Sequence, residues 1–107
     1  MIEVKLYTHE TLELIPIGDL DWIGSLSLRQ VVDSAIQPGM KVVLDMKKVG
    51  NVDAVAQSAL AGIIRRVRRV NGEIEIANMP QEVERVLTRS GVYHLLRYCQ
   101  PTTDDAA

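Results

Sequence analysis

Apolar and polar residues alternate twice near the start of the chain. Ile2, Val4 and Leu6 interleave with Glu3, Lys5 and Tyr7, and Leu12, Leu14 and Pro16 with Thr11, Glu13 and Ile15. A period of two predicts half-buried strands over Ile2–Tyr7 and Thr11–Ile17, joined by a turn at Thr8-His9-Glu10. Pro16 lacks an N–H and suits a strand end or edge. Gly18-Asp19-Leu20-Asp21 then breaks the strand. Leu26, Val31, Val32 and Ile36 fit a helix over about Ser25–Ile36, with Ser25 or Ser27 as its cap, and Pro38-Gly39 stops it. Met40–Asp45 is short, apolar and β-branched, as expected of a central strand.

The longest helical period follows Asp53. Val52, Leu60, Ile63, Ile64, Val67 and Val70 fall on or near one face, Asp53 is placed to cap the helix, and Asn71-Gly72 ends it, with glycine suited to the left-handed position. Glu73–Ala77 alternates again and predicts a fourth strand. Asn78-Met79-Pro80 leads into a third helix carrying Val83, Val86 and Leu87, with Pro80 at its first turn. Ser90-Gly91 stops it, and Val92–Leu96 is a short terminal apolar element. The order β-β-α-β-α-β-α-α predicts an α/β fold, a mixed four-stranded sheet packed with helices, in which the two strands flanking the long helix are parallel. One domain over residues 1–99 and a frayed polar tail over 100–107 are expected.

Composition narrows the function classes. The chain has 107 residues, 47% of them hydrophobic, and no Phe. That is enough for one aliphatic core. Net charge is −2, which argues against a whole-surface nucleic-acid footprint. Arg65, Arg66, Arg68 and Arg69, with Arg85 and Arg89, form a basic cluster, but no aromatic residues interleave for base stacking, and cations favour a helix C-terminus anyway. An acidic protein or phospholipid headgroups fit that cluster better. The single cysteine, Cys99, makes neither an internal disulfide nor a multi-cysteine metal site. No apolar run reaches the roughly 18–20 residues of a membrane span, and the start of the chain is unlike a signal peptide. A cytoplasmic soluble domain without cofactor is the expectation.

Candidate chemistry is sparse. His9 and His94 stand in no nucleophile motif. Asp19, Asp21 and Asp45 invite a metal site, but three acids on separate loops without histidine are a weak signal. Asp45 at a strand end also invites a phosphoacceptor of the receiver type, which would need an acidic pair after the first strand and a lysine after a late one. Thr8-His9-Glu10 and Ala77-Asn78 supply neither. No catalytic constellation emerges, so an enzyme is not expected.

The succession Gly18-Asp19-Leu20-Asp21, Val42-Val43-Leu44-Asp45 and Val52-Asp53 resembles a STAS domain, the family of anti-sigma factor antagonists. Asn71–Asn78, Val83–Leu87 and Ser90–Leu96 agree with the family's later segments. In its regulatory members a partner-switching kinase, which is also the anti-sigma factor, phosphorylates the hydroxyl directly after the aspartate, and phosphate releases the complex. This chain reads Asp53-Ala54-Val55-Ala56 where the family usually has Asp-Ser-Ser-Gly or Asp-Ser-Thr-Gly. Neither Ala54 nor Val55 accepts phosphate. The resemblance therefore implies the fold and a protein-binding role without the usual switch. The expected contact residues are Asp19, Asp21, Trp22, Asp53, Ala54, Val55 and Ser58. The expected partner is an anti-sigma factor or serine-kinase-type protein, with a homodimer as a further option. The alternative is a structural STAS subunit or scaffold of a lipid-transport or signalling complex.

Several of these residues have plainer readings. Asp53 and Asp21 are also ordinary cap and turn residues. Ser58 lies one turn past Ala54 and is either a substitute phosphosite or an ordinary exposed serine. Trp22 reads either as an exposed interface anchor or as a lid on the first helix.

Overall fold

A computed structural model describes the backbone of residues 1–99 and the side chains of residues 1–96; the expected tail, 100–107, and the Cys99 side chain lie outside the described residues. The elements run β1 (Ile2–Tyr7), β2 (Thr11–Pro16), β3 (Gly18–Leu20), α1 (Trp22–Ala35), β4 (Lys41–Asp45), β5 (Val49–Val52), α2 (Ala54–Arg69), β6 (Glu73–Ala77), α3 (Gln81–Ser90) and α4 (Val92–Cys99). The main sheet has the order β1-β2-β4-β6, with β1 antiparallel to β2 and the other pairs parallel. This is the expected mixed four-stranded sheet.

Register assigns the two faces of that sheet. Leu12 pairs with Val42 and Val42 with Ile74, while Leu14 pairs with Leu44 and Leu44 with Ile76. This row meets the helices, and Leu12, Leu14, Val42, Leu44 and Ile74 are buried. The alternate residues form the opposite face, where Lys5 pairs with Glu13 and Lys41 with Glu75. From the helices, Leu28 and Val32 of α1, Leu60, Ile63, Ile64 and Val67 of α2, Val83 and Leu87 of α3, and Val92 and Leu96 of α4 complete one core.

The structure departs from the expected elements at several points. A register shift between Val4 and Leu6 leaves Lys5 as the extra residue, so Tyr7 instead of Leu6 shares Val4's side. The bulge breaks the alternation of Ile2, Val4 and Leu6, and both Val4 and Leu6 are exposed; a bulged edge also resists further strand pairing. The first helix begins at Trp22, capped by Asp21, not by Ser25 or Ser27. Ser25 is buried and its hydroxyl donates to the Trp22 carbonyl. Starting the helix earlier turns Leu26 outward and buries Leu28 instead. Gly18–Leu20 is a strand, not a break, and pairs in parallel with β5. At the end of α2 the left-handed residue is Asn71 (φ 62), not Gly72. Gly72 is needed for space, since a Cβ there would lie 2.6 Å from the Met40 carbonyl oxygen. Val92–Leu96 belongs to a helix that continues to Cys99.

Asp45 has a role that strand-end position alone did not indicate. It is 2% exposed. Its Oδ1 accepts from the Lys47 backbone N–H and from the Asn78 side-chain amide, both at 3.1 Å, and Oδ2 lies 3.4 Å from the Lys47 ammonium. Asn78 follows β6 in a left-handed conformation (φ 53) that asparagine tolerates well. The carboxylate therefore ties the turn after β4 to the turn after β6. Burial pushes its pKa up, but the Lys47 N–H, the Asn78 amide and the Lys47 ammonium together outweigh burial and hold it below the ordinary 3.8.

A carboxylate depressed in the folded state stabilises fully above its unfolded pKa, and that contribution is lost as pH falls through the lower, folded value. Asp45→Ala should cost about 2 kcal/mol near neutral pH by removing charge-assisted hydrogen bonds. Asp45→Asn keeps the shape without the charge, so urea unfolding below about pH 4 should show a shallower loss of stability than wild type. Equal acid slopes in the two proteins would contradict this role.

Candidate functional site at the paired helix starts

Two short strands organise the surface on which the sequence-predicted residues fall. In the parallel pair β3–β5, Gly18 pairs with Val49 and Leu20 with Val52. Each strand is followed at once by an aspartate, and each aspartate caps a helix. Asp21 Oδ1 accepts from Gly24 N–H at 2.8 Å to start α1, and Asp53 Oδ1 accepts from Ala56 N–H at 2.8 Å to start α2. The Asp53 backbone N–H donates to the Leu20 carbonyl at 3.2 Å. The two caps are therefore adjacent, and α1 and α2 leave the same edge side by side. Each cap is worth about 1 kcal/mol of local stability.

Asp19 fixes this pair from the side. Its Oδ1 accepts from the Asn51 N–H at 3.0 Å. The same oxygen occupies the place of a side chain at position 50, where a Cβ would lie 2.5 Å away. Glycine at 50 and aspartate at 19 are thus complementary. α3 packs against β5 from the other direction, with Val83 buried and Val86 half-buried.

The first turns that emerge from these caps are apolar and open to solvent. Trp22 is 62% exposed and Val55 50%, with Ile23 and Leu26 exposed beside them. That exposure favours the interface-anchor reading of Trp22 over the lid, since the earlier helix start leaves most of the side chain open to solvent. Ala54 and Ser58 are also exposed. Asp19, Asp21, Trp22, Asp53, Ala54, Val55 and Ser58 consequently fall on the two strand ends and helix starts of one edge. Ile23 and Leu26 were not expected there. Recognising Asp21 as the cap would have placed Trp22 and Ile23 in a first turn and turned Leu26 away from the core.

The remaining candidates lie elsewhere. Asp45 is engaged between β4 and β6, so Asp19, Asp21 and Asp45 do not converge, and among the described residues no cluster of three or more His, Cys, Asp or Glu is arranged to hold a metal ion. The basic cluster is divided. Arg66 pairs with Asp33 of α1 and Arg85 with Glu82 of α3. Among the described residues no helix is long and apolar enough to cross a membrane.

A model of the STAS domain matches residues 4–106. The chain belongs to the STAS domain family. No curated protein matches the chain in sequence. Solved structures similar to this STAS chain include the anti-sigma factor antagonist SpoIIAA in its unphosphorylated form, with a TM-score of 0.65 and 14% identity over 91% of this chain and 98% of that one. The murine Slc26a9 anion transporter in its inward-facing state gives a TM-score of 0.65 and 22% identity over 78% of this chain, but only 14% of the transporter. A structure described as Mglu gives 0.65 and 18% identity over 76% of this chain and 20% of that one. At these identities the likeness is one of fold, and this chain spans only a small part of the latter two proteins.

The Asp19–Gly50 complementarity has a direct test. Gly50→Ala forces the Asp19 carboxylate to rotate and release the Asn51 N–H, which should cost about 1–2 kcal/mol. In an Asp19→Ala background most of that cost should vanish, giving a coupling energy of about 1 kcal/mol in a double-mutant cycle. Additive effects would mean that the carboxylate does not hold β5.

Proposed function

We propose that this STAS domain is a non-enzymatic protein-binding module of the anti-sigma factor antagonist type. It binds an anti-sigma factor or serine-kinase-type partner through Asp19, Asp21, Trp22, Asp53, Ala54, Val55 and Ser58. The observation that carries the reading is the exposed apolar surface on two adjacent helix starts. An exposed tryptophan ringed by other apolar and polar groups is a common anchor of protein interfaces. The overall likeness to SpoIIAA, which covers nearly all of both chains, supports the same direction.

The absence of a hydroxyl at positions 54 and 55 gives the contact its character. Phosphate at a helix start would add about −1.5 to −2 charges at neutral pH, next to Asp21 and Asp53. Ala54 and Val55 leave that surface apolar at all times, so the contact is constitutive. Ser58, one turn further along, carries the hydroxyl of the first turns of α2. A second reading, a STAS component of a membrane-transport assembly, is supported by the likeness to part of the Slc26a9 transporter; it uses the same protein-binding surface with a different partner.

Calorimetric titration against a kinase-type anti-sigma factor encoded with this protein provides the test. Trp22→Ala and Val55→Lys should each weaken binding by at least about tenfold, while the distant surface substitution Glu75→Gln leaves it unchanged. Wild-type affinity in both Trp22→Ala and Val55→Lys would place the contact elsewhere. Binding of a transport subunit, with none to the kinase-type protein, would select the second reading.

A further inference from the structure

The outer face of α2 carries a pattern that the fold itself does not require. Val55, Ser58, Gly62, Arg65 and Arg69 recur at three- and four-residue spacing, opposite the buried Leu60, Ile64 and Val67. Gly62 stands near the middle of a 16-residue helix, where glycine weakens the element relative to alanine. Nothing lies within 4 Å of a Cβ built there, and its backbone is not left-handed. Among the described residues no contact therefore explains a glycine. Bare backbone midway along the outer face of a helix is what allows a second helix to approach closely.

Charge along this face is graded. Asp21 and Asp53 stand at its start beside Trp22 and Val55, and Arg65 and Arg69 at its end, where neither forms an ion pair among the described residues. A helix of this length separates the two ends by about 24 Å, well beyond the screening length of about 8 Å at physiological salt. The acidic and basic ends thus leave each other unneutralised within one chain.

We propose that this face joins two copies of the chain about a twofold axis passing close to Gly62, with the two α2 helices antiparallel. Every contact is then made twice. The acidic start of one copy meets Arg69 of the other, with Arg65 nearer the crossing point, and the Trp22 indole lies within reach of an arginine guanidinium. The two bare backbones cross where the helices come closest. A parallel arrangement would set like charges together and is disfavoured. Dimerisation covers Trp22, Val55 and Asp53, so, resting on the partner-binding reading above, self-association and partner binding exclude one another. Protein concentration then governs access to a surface that phosphate does not control.

Sedimentation velocity on the full chain over a range of concentrations tests this. Wild type should show a reversible monomer–dimer equilibrium that weakens as salt is added. Gly62→Gln, which places a side chain at the crossing point, and the double substitution Arg65→Glu with Arg69→Glu should each raise the dissociation constant at least about tenfold. Unchanged circular dichroism would confirm that both variants fold. A chain that sediments as a monomer up to about 1 mM overturns the proposal, as does a dimer whose dissociation constant is unchanged in either variant. A monomer that still binds a kinase-type partner through Trp22 would reject the dimer and keep the partner-binding reading; a dimer without such binding would do the reverse.

Discussion

The register of Leu20 against Val52 is the constraint from which the rest of the surface follows. Both side chains are buried in the common core, so neither short strand can slide without exposing an apolar residue. Each is followed at once by an aspartate that ends the strand and begins a helix. Pairing the strands in parallel therefore pairs the caps, and the caps aim two helices in the same direction from one edge. Asp19 adds a lateral hold through Asn51 at a point where glycine leaves room for the carboxylate. A site built this way sits on fixed elements whose relative position is set by hydrogen bonds and burial.

That arrangement also determines what the site can do. A helix start carries about half a positive charge and unpaired N–H groups, which would ordinarily attract an anion. Here each start is answered by its own aspartate, and the exposed first turns are apolar. The surface suits a protein contact more than a free phosphate. At the C-terminal end of β4, Asp45 performs a quite different task. Its buried charge links two turns and helps to hold β4 beside β6.

Most of the architecture was legible from periodicity. The alternating strands, the long apolar face of α2 and the break at Pro38-Gly39 each carry a strong local signal, and the parallel joining of the central strands follows from the helix between them. The missed features share a cause: each depends on a partner distant in sequence. Three residues such as Gly18–Leu20 have too little pattern to read as a strand until β5 lies alongside. The bulge at Lys5 becomes visible only through the register of β1 on β2, where Leu6 pairs with Glu13. Asp21 and Ser25 are both good caps, and the choice between them is settled by where β3 ends. Of the site, Asp53 was readable because it precedes a strongly periodic helix. Ile23, Leu26 and Gly62 were not, since their importance is that they face solvent, and a single sequence gives exposure only by way of the correct helix phase.

The central claim is that the paired helix starts form a protein-binding surface that phosphate at the usual position does not switch. The most direct measurement is the affinity of the chain for a kinase-type anti-sigma factor before and after incubation of the two with ATP and magnesium, beside the same measurement on Ala54→Ser. The wild-type complex should survive with its affinity unchanged, whereas Ala54→Ser should take up phosphate and be released. Loss of the wild-type complex accompanied by phosphate on Ser58 would contradict it.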